Sequence, residues 1–372
     1  MADSLWGIGP RPKLFRLTSN CFVFWSEDEQ QADTLLQRCQ ERLRRPIRVK
    51  GYLVHCPAVL VKILLEGGAA DVEKLRSYIA FSTKQADCQG ETYVVENGKA
   101  LREQFEYQTE VERFLWDAVQ QDRFEVWYQP IYSREEDRFV ALEALSRLKH
   151  PKLGWIPPEL FIRLAERNGL LFQIMPRQFE KICSFLCKHP DLVRTLQSVK
   201  VNLSPQELAE VGYCDKLLDM IRQYNLPFSL FQFEVTESTI TQYSSELKAC
   251  VRKLRQAGIH LCLDDFGSGY ANLNAVMGLP FSVIKLDRSL LTGICEDHAA
   301  GSFYQGLVEF LQGLGYHIIA EGVETEREVE LLVEWGVDLI QGYYFSKPLP
   351  PEQTVALLKD YGKQEICKKY LC

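Results

Sequence analysis

From about residue 125 to 350 the chain alternates short apolar runs with amphipathic stretches. The runs are "FVALEALSRL", "SVKVNLS", "FQFEVTE", "IHLCLDDF", "FSVIKLD", "YHIIAEGV" and "LIQGYYFS". Strands that alternate with helices imply βα units and a parallel sheet. The helices carry their own start signals. Ser204-Pro205-Gln206-Glu207 reads as a capping box with proline at the first helical position, and Thr325 with Glu328 reads as another. Leu247, Val251 and Leu254 repeat at helical spacing and stop before Gly258.

Polar residues interrupt the apolar runs in a consistent place. Glu143, Asn202, Glu234, Asp264, Asp265, Lys285, Glu321 and Gln341 fall near the C-terminal ends of the predicted strands. In a (β/α)8 barrel those ends form the catalytic face, so residues distant in sequence converge there. An open sheet also places ligands beyond its strand ends, but so many strand-end groups fit a closed ring better. The predicted fold is therefore α/β, a TIM-like (β/α)8 barrel.

Asp264 and Asp265 pose a problem of their own. Side chains alternate along a strand, so adjacent aspartates cannot both face one core in regular geometry. Two ionised carboxylates side by side also repel unless a cation or hydrogen bonds compensate them. Four or more carboxylates with one amide oxygen make an all-oxygen environment, suited to Mg2+ or Mn2+ rather than zinc. Two such ions, about 3.5–4 Å apart, can share a carboxylate and hold a phosphate; Asp264 is the natural bridge.

Composition narrows the field without changing that picture. The 372 residues are 46% hydrophobic and 25% charged, enough for two globular domains. A formal charge of −7 argues against a surface that coats DNA or RNA polymers. Twelve cysteines form no CxxC pairs or dense framework, and the six histidines have no HxH or HExxH spacing; both read as structural. No apolar run approaches the ~18 residues of a membrane span and no N-terminal signal pattern is present, so a soluble chain without membrane contact is expected.

The segments "YQPIY", "EALSRLKHPKLGWIPPELFIRLAERNGL", "VNLSPQEL", "FEVTES", "DDFGSGY", "LPFSVIKLD", "AEGVET" and "QGYYFSKPLP" resemble, in order, the motifs of the EAL domain family. These are bacterial phosphodiesterases that open cyclic di-GMP to linear pGpG. The resemblance covers about residues 110 to 362. It implies that Glu143, Asn202, Glu234 and Asp264 bind one metal ion, and that Asp264, Asp265 and Glu321 hold a second. Lys285 would orient the nucleophilic water for in-line attack on phosphorus. Arg147 would contact the substrate phosphate, with Gln129, Asn202 and Gln341 also on the substrate side. Gln341, Asp287 and Glu324 would support the ligands, and Glu237 would anchor the "DDFGSGY" loop. That loop departs from the common "DDFGTGYSSL" at Ser268, Ala271 and Asn272, although Ser268 keeps the hydroxyl. The implied function is metal-dependent hydrolysis of cyclic di-GMP. The alternative is a catalytically silent receptor or protein-binding module using the same cleft; degenerate relatives of that kind usually lose metal ligands, and no such loss is visible here.

Residues 1–108 resemble part of a GGDEF domain. In "LFRLTSNCFVFW", Thr18, Ser19, Asn20, Cys21 and Phe22 stand at the signature positions, and "ADVEKLRSYIAFSTKQADCQGETYVVEN" resembles that domain's C-terminal portion. The upstream nucleotide-binding half has no counterpart, so a degenerate α+β region is expected, with an unrelated small α+β module as the other reading. Thr18 and Ser19 replace glycines that permit close backbone approach to phosphate, while Asn20 and Cys21 replace an acidic pair. This region is expected to make no cyclic di-GMP and to act, if at all, as a regulator.

The "ALREQFEYQTEVERFLWDAVQQDRF" segment predicts a charged amphipathic helix entering the barrel domain, taken as 109–362 with a 363–372 tail. The resemblance further implies a homodimer formed through the barrel domain. It also implies a bacterial cytoplasmic location, and the missing half of the first domain suggests a longer, membrane-attached or sensor-linked parent protein.

Overall fold

A computed structural model describes residues 13–18, 21–56, 58–63, 72–85, 93–96, 99–236, 245–268 and 281–361. The chain divides into two compact units, Met1–Val111 and Glu112–Cys372.

In the first unit, β1 (Lys13–Arg16) and β2 (Phe22–Trp25) pair antiparallel. Of the five signature positions, Ser19 and Asn20 lie outside the described residues. The Cys21 N–H donates to Thr18 Oγ1 at 3.1 Å. Helix α1 (Glu29–Leu43) starts on Asp28, whose carboxylate accepts from the Gln30 N–H at 3.0 Å and satisfies a donor the helix leaves free. The hairpin β3 (Ile47–Val49) and β4 (Tyr52–Val54) follows. Strand β5 (Val59–Lys62) then runs parallel to β6 (Tyr93–Glu96), with α2 (Val72–Gln85) between them in sequence. A small core joins Cys39, Leu43 and Ile47 to Leu35, Ala58 and Leu60. The predicted amphipathic segment forms α3 (Lys99–Gln120), and the division between units falls inside it.

The second unit is a closed eight-stranded barrel. It begins with β7 (Phe124–Ser133) and β8 (Arg138–His150), flanked by the short β9 (Gly154–Ile156). Helices α4 (Pro158–Arg167), α5 (Leu171–Lys188) and α6 (Pro190–Thr195) precede β10 (Ser198–Asn202). Then come α7 (Pro205–Ala209), α8 (Tyr213–Gln223), β11 (Phe231–Thr236), α9 (Ser245–Gln256), β12 (His260–Phe266) and β13 (Phe281–Leu286). The chain continues through α10 (His298–Gly313), β14 (His317–Ala320), α11 (Glu326–Glu334), β15 (Leu339–Ile340) and α12 (Pro351–Tyr361). The strand order β10-β11-β12-β13-β14-β15-β7-β8 closes through a direct β8–β10 pairing. Both capping boxes read from the sequence are present, at Ser204/Glu207 and Thr325/Glu328.

The alternating pattern predicts a parallel sheet; the flanking β9 pairs antiparallel with β8, and within the barrel one strand departs from the pattern. Strand β7 pairs antiparallel with both β8 and β15. The reason is connection length. Only residues 134–137 join β7 to β8, with Asp137 at φ 47°, whereas a parallel crossover needs a dozen residues or more.

The barrel's two faces are chemically distinct. Outward residues such as Leu142, Val199, Phe233, Leu263 and Ile284 pack in the large core with helix residues including Phe179 and Leu254. Burying each such side chain stabilises the fold by roughly 1.5–3 kcal/mol. Inward, Ile131, Val140, Ala141, Cys262, Val283 and Ile319 form a separate small cluster, with Leu339 against it. The polar strand-end residues follow that cluster along the same inward faces, because residues two apart on a strand share a side. Among the described residues, no helix is long and apolar enough to cross a membrane.

Candidate active site

The closed ring brings the strand-end residues together. Lys285, carried inward by β13 and only 1% exposed, is the hub. Its Nζ stands 2.7 Å from Glu321 Oε1, 2.9 Å from Asp264 Oδ1, 3.2 Å from Glu234 Oε1 and 3.3 Å from Glu143 Oε2. These four carboxylates lie on or just after four different strands, so only barrel closure assembles them.

Glu143 is the best-satisfied member. Asn202 Nδ2 donates to its Oε1 at 3.1 Å, and Gln341 Nε2 donates to its Oε2 at 2.5 Å. Burial pushes its carboxyl up, but Lys285, Gln341 and Asn202 together outweigh this and hold it below the ordinary range. Gln341 Nε2 also reaches Gln129 Oε1 at 3.2 Å, while Gln129 Nε2 donates to the Ser346 carbonyl at 3.1 Å.

Glu234 is the opposite case. Lys285 lies within charge-attraction range, yet neither Glu234 oxygen accepts a hydrogen bond of acceptable geometry; Asp264 Oδ1 is likewise orphaned. Burial, the largest influence, pushes the Glu234 carboxyl well up, with the neighbouring Glu143 and Asp264 adding to it against Lys285. A buried carboxylate without hydrogen-bond partners costs several kcal/mol, a cost that protonation or a further cation would relieve.

Asp264 and Asp265 converge through a backbone irregularity. The β12–β13 register shifts between Leu263 and Phe266, and Asp265 adopts the left-handed region at φ 56°. The strand therefore continues through both aspartates, and the bulge turns the second toward the same site as the first. Holding a non-glycine residue there costs about 1–3 kcal/mol and is characteristic of functional sites. One ligand oxygen each from Asp264, Asp265 and Glu321 lies within 4.8 Å of the others, close enough to share an ion. Burial and then Asp264 push the Asp265 carboxyl up to about 6. Burial, opposed by Lys285, takes Glu321 to about 8.

Backbone contacts fix these positions. The Glu321 N–H donates to the Leu286 carbonyl at 3.1 Å, and the Gln341 N–H donates to the Ala320 carbonyl at 2.8 Å. Gly342 follows because the chain passes hard against the "EGVE" loop: a Cβ there would sit 1.9 Å from the Val323 carbonyl oxygen.

The remaining predicted residues stand further out. The half-buried Arg147 has its Nη1 donating to the Ser146 carbonyl at 2.9 Å, and its guanidinium carbon lies 5.7 Å from the centre of the Trp127 ring. Asp287 caps the short helical turn Arg288–Leu291 by accepting from the Ser289 N–H at 2.9 Å. Exposed Glu324 pairs with Arg288 at 2.7 Å. Glu237 lies outside the described residues, as do residues 269–280 of the "DDFGSGY" region. Sequence reasoning missed Lys200, fully buried on β10 two residues before Asn202; a lysine inside the apolar run "SVKVNLS" was the available signal. It also missed Trp127, whose contact with Arg147 crosses an antiparallel pair that the pattern did not predict.

The donor set is compatible with hard divalent cations. Clustered carboxylate oxygens, two of the carboxylates carrying orphaned atoms, are the ligands Mg2+ and Mn2+ prefer. A cluster of strand-end carboxylates able to hold a metal ion, set in a closed eight-stranded barrel, defines the class of protein. The EAL domain family matches residues 112–348, and the chain belongs to that family.

The chain is 28% identical over 341 residues to the cyclic di-GMP phosphodiesterase NbdA of Pseudomonas aeruginosa, covering 92% of this chain and 44% of that protein. It is 31% identical over 240 residues to the cyclic di-GMP phosphodiesterase PdeL of Escherichia coli, covering 64% and 66% respectively. Among solved structures it is similar to the PaMucR phosphodiesterase in complex with c-di-GMP, with a TM-score of 0.61 and 30% identity over 66% of this chain and 99% of that one. The chain spans less than half the length of NbdA.

Proposed function

We propose that this barrel is a metal-dependent phosphodiesterase that hydrolyses cyclic di-GMP to linear pGpG. The observation that carries the reading is the set of buried carboxylate oxygens on Glu234 and Asp264 that accept no hydrogen bond, beside the Asp264/Asp265/Glu321 cluster. Glu143, Asn202, Glu234 and Asp264 would hold one Mg2+ or Mn2+; Asp264, Asp265 and Glu321 would hold the other. When bound, two such ions would acidify the attacking water and offset charge on the attacking and leaving oxygens.

The chain's own groups supply the rest. Lys285, charged because four carboxylates together outweigh its burial, would fix the water by hydrogen bonding and counter negative charge on the phosphoryl group. Asn202 and Gln341 hold the Glu143 carboxylate in place through its two oxygens. Arg147 would present its guanidinium to a phosphate, where two parallel N–H donors match two oxygens. The names of NbdA, PdeL and PaMucR support the substrate assignment. Pairing of two barrels and a regulatory role for the first unit belong to the same reading, as does a cytoplasmic location.

The test is incubation of the full chain with cyclic di-GMP and Mg2+ or Mn2+, followed by chromatography. Formation of pGpG is expected. Binding of the dinucleotide without turnover would instead favour the silent receptor.

A further inference from the structure

We propose that Lys200 is a positioning residue that places a positive charge beneath the metal centre, weakening metal binding in order to leave the loaded site electrophilic toward a phosphodiester. This rests on the metal-dependent reading above.

Lys200 is 0% exposed and points into the barrel from the middle of β10. In register it stands level with Glu143 on β8 and Gln232 on β11. The inward strand faces also carry the apolar cluster of Ile131, Ala141, Cys262 and Val283. Its ammonium donates to the Gln232 side-chain oxygen. Among the described residues, no carboxylate stands within ion-pair distance of it.

An ammonium buried with only a neutral partner is costly, and packing alone would favour an apolar side chain at this position. Its compensation must come through space from the carboxylates above. Glu234, one pleat further along β11 from Gln232, feels this charge as the weakest of the named influences on its carboxyl, after burial, Lys285, Glu143 and Asp264, and in the direction that opposes burial.

The charges then add in a particular way. Glu143, Glu234, Asp264, Asp265 and Glu321 with Lys285 leave four negative charges, which two divalent ions would cancel. Lys200 adds one positive charge that this set does not balance. Because it bonds to no metal ligand, it acts through the field alone, and that fixes the sign of the test. Removing a structural support weakens metal binding. Removing a repelling charge strengthens it.

The measurement is calorimetric titration of Mn2+ into the full chain, for wild type, Lys200→Met and Gln232→Glu. The first variant deletes the charge at similar volume; the second neutralises it in place with a carboxylate. Both are expected to bind Mn2+ about tenfold more tightly and to hydrolyse cyclic di-GMP more slowly at saturating metal. Unchanged or weaker Mn2+ binding in the folded variants overturns the proposal. If one variant fails to fold, the other decides; if neither folds, Lys200 is a structural strut and the proposal falls. A wild-type chain that binds no Mn2+ overturns the metal-dependent reading itself, a result distinct from an unfavourable comparison between variants.

Discussion

The inward faces of the barrel strands carry two zones, separated by only one pleat. Ala141, Cys262, Val283 and Ile319 are apolar and packed together; two residues further on, Glu143, Asp264, Lys285 and Glu321 are charged and crowded. The first zone stabilises the fold by excluding water. The second is costly to keep, because it holds carboxylates that Lys285 alone does not satisfy. The contrast teaches how a barrel separates stability from chemistry: the same strands provide both, offset along the axis.

The sharpest way to break this comparison is Glu143→Gln. The amide keeps the shape but removes a ligand charge, so hydrolysis should fall by more than about 100-fold while the circular dichroism spectrum stays native. Wild-type turnover under limiting metal would remove Glu143 from the site.

Ile319→Ala tests the other zone. Truncating this fully buried side chain should destabilise the protein by about 2–5 kcal/mol in urea unfolding. Metal affinity measured on the folded protein should hardly change. A large loss of affinity would show that the two zones are not separable.

Adding metal should act in the reverse direction, on the charged zone alone. Mn2+ at a hundredfold excess over its Kd should stabilise the fold by about 2.7 kcal/mol relative to protein in EDTA. A melting temperature indifferent to both reagents would mean that the orphaned carboxylates hold no cation.

The smallest effect concerns pH. The Asp265 carboxyl is pushed up from 3.8 to about 6, so the folded protein holds that proton to higher pH than the unfolded chain does. Its contribution to metal-free stability is fully present below about 4 and is lost as pH rises through about 6. Metal affinity should show the opposite trend, falling as pH drops below about 6 and Asp265 protonates. Calorimetric titrations between pH 5 and 7 would check this, and a flat profile would exclude Asp265 as a ligand.

Much of this was legible along the chain. The barrel architecture and both capping boxes follow from local periodicity and local chemistry. The strand-end positions of Glu143, Glu234, Asp264, Lys285 and Glu321 could also be read, because an apolar run that ends in an acid or a lysine marks where a strand meets solvent or a ligand. The antiparallel β7 was less accessible: direction is set by the brevity of the 134–137 connection rather than by the residues of the strand. The Trp127–Arg147 contact depends on that direction and was hidden with it.

What the sequence alone determined was therefore which residues form strands and which polar groups stand at their ends, since alternation and capping act over a few residues. Tertiary structure decided how those groups meet. Barrel closure brings Lys285 to four carboxylates from four other places in the chain. The left-handed turn at Asp265 brings adjacent aspartates to one site, against the alternation their positions imply. Whether a buried charge finds a partner is likewise a property of distances across the barrel. A lysine in a strand reads the same whether it meets a carboxylate, as Lys285 does, or only an amide, as Lys200 does.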